Sequence, residues 1–97
     1  MSKHISRKER WKQETPKRYT SPEGTVAYEQ QAWYGVLNYR LREPEQRGMP
    51  VWISYTQRLG PFKRPRNAMV ALEREVTLLR NRHGKDLLVE GEVWAEV

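Results

Sequence analysis

Met69, Leu72, Val76 and Leu79 recur at spacings of three and four, and the pattern stops at Gly84. Such spacing lines up along one face of an α-helix running from about Pro65 or Asn67 to His83. Gly84 supplies a left-handed cap, and Arg80, Arg82 and His83 fall in the last turn, where cations suit the helix dipole. A helix that is apolar along one stripe must bury that stripe against a second layer. The rest of the chain therefore has to supply a sheet or another helix.

Two stretches alternate as half-buried strands do. From Val51 to Leu59, Val51, Ile53, Tyr55 and Leu59 fall on one side and Trp52, Ser54, Thr56 and Arg58 on the other. From Val89 to Val97, Val89, Gly91, Val93, Ala95 and Val97 alternate with Glu90, Glu92, Trp94 and Glu96. A further helix is expected from Thr20 to Pro44. Ser21-Pro22-Glu23 has the form of an N-cap, a proline in the first turn and an acid near the positive dipole end. Val26, Ala27, Ala32, Trp33, Val36, Leu37 and Leu41 form its stripe, and Glu29, Gln30, Asn38, Arg40 and Arg42 its wet face.

The fold class expected is thus a small α+β domain over 20–97 in the order helix-strand-helix-strand. Short connections favour parallel pairing with a right-handed crossover. The sheet has two strands, covered by two helices. Two strands rarely suffice, so the edges are expected to gain a strand from the N-terminal arm or from another chain, as in a homo-oligomer. Trp52 and Trp94 then either pack under the first helix or stay exposed for a partner.

At 97 residues only one modest core is available. The chain is 37% hydrophobic with a mean hydropathy of −0.95, yet its four Trp and five Tyr argue against full disorder. No apolar run approaches the roughly 20 residues that span a bilayer, and Met1 to Lys12 lack the apolar region of a secretory signal. The absence of cysteine removes disulfides and thiol catalysis and fits a reducing cytoplasm.

Charge is uneven. Residues 1–18 carry Lys3, Arg7, Lys8, Arg10, Lys12, Lys17 and Arg18 against Glu9 and Glu14, which accounts for +5 of the net +6. With so few apolar groups, residues 1–19 read as a basic arm. An arm of this kind is drawn to a polyanion through counterion release, and Trp11 between Arg10 and Lys12 suits stacking on a base or docking in a protein pocket. A second basic cluster, Arg58, Lys63, Arg64 and Arg66, lies in a proline-stiffened stretch with Phe62 as a stacking face.

Traces of catalysis are sparse. His4 and His83 are the only histidines and Asp86 the only aspartate, and neither a phosphate-binding glycine loop nor a metalloprotease motif is present. Glu90, Glu92 and Glu96 suit a solvated strand face better than a cation site. No enzyme, metal or cofactor is expected. Lys63 to Met69 shares a basic-Pro-x-Asn-Ala opening with the HMG box, but only 28 residues follow and end in a strand pattern, so no family is assigned.

The function expected is a small accessory protein that binds RNA or DNA, or docks on a nucleoprotein machine, without sequence-specific readout. The competing expectation is an adaptor or inhibitor of viral or mobile-element type, whose arm clamps an acidic protein surface. Neither involves a membrane.

Overall fold

The computed structural model describes residues 10–46 and 48–90. Its centre is a six-stranded antiparallel sheet with strands β1 (Lys12–Thr15), β2 (Arg18–Ser21), β3 (Gly24–Glu29), β4 (Ala32–Gln46), β5 (Met49–Phe62) and β6 (Leu87–Val89). Among the described residues one α-helix, α1 (Pro65–His83), crosses one face, and a 3₁₀ turn at Gly84–Asp86 leads into β6. Strands β1 to β5 pair in sequence order, whereas β6 pairs with Tyr39–Leu41 of β4 on the edge that β3 leaves after Val36.

The expected order helix-strand-helix-strand is therefore corrected to five strands, a helix and a short strand. Among the described residues the sheet has six strands in place of two, antiparallel in place of parallel, and one helix covers it in place of two. The first helix is replaced by β2, β3 and β4. Local chemistry explains the substitution. The Ser21 hydroxyl accepts a hydrogen bond from the Glu23 backbone N–H at 3.2 Å, the contact an N-cap would make, but here it closes a two-residue turn between paired Ser21 and Gly24. Gln30 and Gln31 both have positive φ, 49° and 65°, the backbone of a type I′ hairpin. Beyond that turn Trp33, Gly35, Leu37, Tyr39 and Leu41 alternate toward the helix, while Asn38, Arg40 and Arg42 face water. Pro44 ends no helix. It sits where the β4–β5 register shifts, an irregularity that accommodates a residue lacking an N–H.

Helix α1 and the alternation in β5 match the expectation, with β5 extended to Met49–Phe62. Of the C-terminal strand, Leu87–Val89 is described, and residues 91–97 with Trp94 lie outside the described residues.

Val26, Leu37, Leu87 and Val89 of the sheet meet Ala68, Met69, Leu72, Val76 and Leu79 of α1 in the core. Tyr19, Tyr28 and Trp33 add an aromatic cluster, with ring centroids 5.8 and 5.4 Å apart at the two Trp33 contacts. Leu72 lies against the glycine floor at Gly24 and Gly35; a Cβ on Gly24 would stand 2.8 Å from Leu72 Cδ1 and also strike the Val36 carbonyl. Gly24→Ala should therefore lower stability by about 1–3 kcal/mol through overpacking. A urea melt followed by circular dichroism reads that loss, and an unchanged midpoint would mean that α1 packs elsewhere.

Candidate functional site

Helix α1 covers one side of the sheet, and no described element covers the other. Register assigns the side chains of the open face: Lys12 on β1, Arg18 and Thr20 on β2, Thr25, Ala27 and Glu29 on β3, then Tyr34, Val36, Asn38, Arg40 and Arg42 on β4. Arg58, Thr56, Ser54 and Trp52 complete it on β5. Five cations on this face (Lys12, Arg18, Arg40, Arg42, Arg58) meet three carboxylates. Glu14 is held by Arg18 at 3.4 Å and Glu29 by Arg58 at 2.9 Å, while Glu90 lines a shallow pocket beside Asn38 and Thr25.

The β4–β5 ribbon is the basic part. Among its described open-face residues it carries Arg40, Arg42 and Arg58 and no carboxylate. Arg40 lies opposite Ser54, Arg42 opposite Trp52, and Asn38 opposite Thr56, whose hydroxyl donates to Asn38 Oδ1 at 2.8 Å. The Arg58 guanidinium lies 3.9 Å above the Tyr34 ring, which fixes its plane. Trp52 keeps 37% of its surface exposed in this row. Residues two apart on a strand repeat about every 6.7 Å on one face. The ribbon thus presents a regular comb of planar cations, hydroxyls, an amide and an indole.

The other residues singled out in the sequence fall in several places. Lys3, Arg7 and Lys8 lie outside the described residues. Arg10 is committed to the fold, forming an ion pair with Glu23, which is 4% exposed. Trp11 is 5% exposed in the core, and its Nε1–H donates to Glu73 on α1 at 3.0 Å. An indole so placed has no face left for stacking on a base. Residues 12–19, assigned to the arm, contribute β1 and the start of β2. Lys17 sits in the turn between them, 5.6 Å from the Tyr28 ring centroid. The basic stretch around Phe62 is not one loop: Arg58 to Phe62 finish β5, Phe62 packs against the core, and Lys63 and Arg64 form the bend into α1. Arg64 is the N-cap residue but makes no side-chain cap, and no acid occupies the first turn, where Arg66 lies. Three exposed cations therefore stand beside unsatisfied helix N–H groups, a place where anions are favoured.

The sequence pattern did not single out Arg40, Arg42, Asn38 or Thr56 as binding residues, and it left Trp52 open between core and partner surface. The signal was the alternation in β5 continued across β4, which puts Arg40 and Arg42 beside Ser54 and Trp52 only once the hairpin is recognised.

On the helix side, Tyr39 and Tyr55 stack at 5.5 Å, and the Tyr55 hydroxyl lies 3.4 Å from Glu43. Partial desolvation, followed by the Glu43 charge, holds the Tyr55 phenol above its ordinary range. Among the described residues no three potential metal ligands cluster, and no helix is long and apolar enough to cross a membrane.

The Arg10–Glu23 pair has a direct test. Arg10→Gln leaves a buried carboxylate without its cation, and the expected loss is about 2–3 kcal/mol, below the 3–5 kcal/mol typical of fully buried pairs because Arg10 is partly exposed. Thermal unfolding at neutral pH measures it; an unaltered Tm would show that solvent already compensates Glu23.

Comparison with protein families, with curated proteins and with solved structures returned no match to this chain. The geometry of the described residues therefore defines the class: a small antiparallel sheet with one helix on one side and a basic ribbon on the other.

Proposed function

We propose that this protein binds nucleic acid through the open face of its sheet, with the β4–β5 ribbon as the principal contact. One observation carries the reading: Arg40, Arg42 and Arg58 stand in a row with Asn38, Ser54, Thr56 and Trp52 on a face that no described element covers, and the described open-face side chains of the ribbon include no carboxylate. Guanidinium groups suit phosphate, since their planar donors bond it in pairs. Hydroxyl and amide groups add phosphate or sugar contacts, and a half-exposed indole adds a stacking surface. Lys63, Arg64 and Arg66 at the start of α1 form a second cationic contact at the end of β5, and Lys12 and Arg18 extend the face toward β1. Contacts of this kind position a polyanion without reading its sequence.

Binding of labelled duplex and single-stranded oligonucleotides, measured by anisotropy from 50 to 200 mM salt, tests the reading. Affinity is expected to fall by about 10³-fold or more over that range if six phosphates are engaged. No binding to any oligonucleotide at 50 mM salt would overturn it. The same cations suit an acidic groove on a protein. An affinity purification whose capture survives nuclease treatment would favour that competing role of adaptor or inhibitor.

A further inference from the structure

We infer that the protein is a two-fold symmetric dimer in which β5 of one copy pairs with β5 of a second copy, joining two sheets into one. Strand β5 is paired with β4 along one edge, and no described strand occupies its other edge. Natural edge strands are blunted by shortness, charge or proline. The opposite margin of the sheet obeys that rule: β1 has four residues, two of them charged, and a register shift. The margin at β5 confines its prolines and its charge to the ends, at Pro50, Arg58 and Pro61, and leaves the middle unguarded. It is 14 residues long, and from Val51 to Gln57 it carries no charge.

The side chains along this stretch are unusually bare. On the helix side of the sheet, Val51, Ile53 and Tyr55 are 43%, 39% and 38% exposed, so this half of β5 is left uncovered by α1. Trp52 is exposed on the opposite face. A strand that covers this edge is best matched by uncharged, alternating residues on both faces, since no residue from Val51 to Gln57 offers a counter-ion directly opposite. Among the described strands β4 also has an uncharged stretch, Ala32–Tyr39, but it is paired on both sides, with β5 and with β3 and β6; of the described strands β5 is the one with a long uncharged stretch on an unpaired edge.

Its self-pairing is complementary in detail. An antiparallel two-fold through the middle of the uncharged stretch sets Ser54 opposite Ser54 of the second copy. Ile53 then faces Tyr55, Trp52 faces Thr56 and Val51 faces Gln57, each pairing occurring twice. Ile53 with Tyr55 is a β-branched and aromatic pair of the kind that stabilises sheets. The ladder ends on both sides where Pro50, without an N–H, meets Arg58, whose charge is already met by Glu29 at 2.9 Å. No like charges are opposed within the seven residues, which matters for two copies that each carry +6. The axis stands perpendicular to the sheet, so both open faces lie on the same side and the two basic ribbons become neighbours. This last consequence rests on the nucleic-acid reading; the pairing itself does not.

The chain contains no cysteine, which makes the test clean. Ser54→Cys places a single thiol on the axis, where residues directly opposite have Cα atoms about 4.5–5.5 Å apart, within disulfide range. Sedimentation equilibrium of the full chain without nucleic acid should give twice the 11.6 kDa chain mass. Mild oxidation of Ser54→Cys should give a cross-linked dimer, whereas Leu78→Cys, exposed on α1, should stay largely monomeric on a denaturing gel. Ile53→Lys should weaken association at least about tenfold by facing a charge to Tyr55. A monomer at every concentration up to several hundred micromolar overturns the inference. So does a dimer in which Ser54→Cys cross-links no faster than Leu78→Cys. If Ile53→Lys fails to fold, the folded Ser54→Cys protein decides alone. Loss of oligonucleotide binding with the dimer intact would fail the nucleic-acid reading and leave this one standing.

Discussion

Trp11→Ala is expected to lower folding stability by about 3–5 kcal/mol, the range for removing a large buried aromatic side chain. The indole fills the core between α1 and the sheet, and its N–H donates to Glu73, 62 residues away in sequence. Domains of this size have about 5–15 kcal/mol in total, so the variant should melt at much lower temperature or fail to fold. Trp11→Phe keeps most of the apolar volume and loses the hydrogen bond, and should cost roughly 1 kcal/mol beyond packing. Urea unfolding of the two variants separates the contributions. Equal, small effects would show that the indole is dispensable. Truncation experiments must respect the same anchor. Deleting residues 1–18 removes Trp11, Arg10 and all of β1, so lost binding would report lost folding. A cut after Glu9 removes Lys3, Arg7 and Lys8 while sparing both anchors.

Reversing charge on the open face should have the largest effect on binding. Arg40→Glu combined with Arg42→Glu is expected to weaken oligonucleotide affinity about 100-fold near 100 mM salt, since two favourable interactions become repulsive. The slope of log affinity against log salt should flatten by about two, since each duplex phosphate that is no longer neutralised removes roughly 0.9 from it. Both side chains are exposed, so thermal stability should shift little. Unchanged affinity and slope in a folded variant would remove the ribbon from the interface and leave the cations at Lys63, Arg64 and Arg66 as the binding surface.

Helix α1 was legible because its stripe, its proline start and its glycine stop agree. Strand β5 was legible because Val51, Ile53, Tyr55 and Leu59 alternate with Trp52, Ser54, Thr56 and Arg58, with Gln57 the one polar residue on the apolar side. The region from Ser21 to Gln46 was not, and the reasons are local. Ser21-Pro22-Glu23 satisfies the same backbone N–H in a turn as in a helix cap. Gln30-Gln31 adopts positive φ without the Asn or Gly that usually marks it. In β4 the core-facing alternation is broken to the eye by Gly35, which faces α1, and by Val36 on the open side. Those apolar positions therefore fit a period of 3.6 as readily as a period of two. Once they are read as a helix, Arg40 and Arg42 become an ordinary wet face and the basic ribbon disappears. Trp11 carried no local sign of burial, because its partner lies on α1.

The reach of the β4–β5 hairpin past α1 has a mechanical consequence. Where the helix backs it, at Gly35 and Leu37, the sheet is two layers thick; near Trp52 and Arg42 only a single ply remains. Bending stiffness drops sharply at such a step, and narrow β-ribbons twist more freely than wide sheets. In a single copy the outer half of the hairpin is therefore expected to be the more compliant part, while Trp11 and Leu72 hold the base, and pairing of β5 with a second copy would stiffen it.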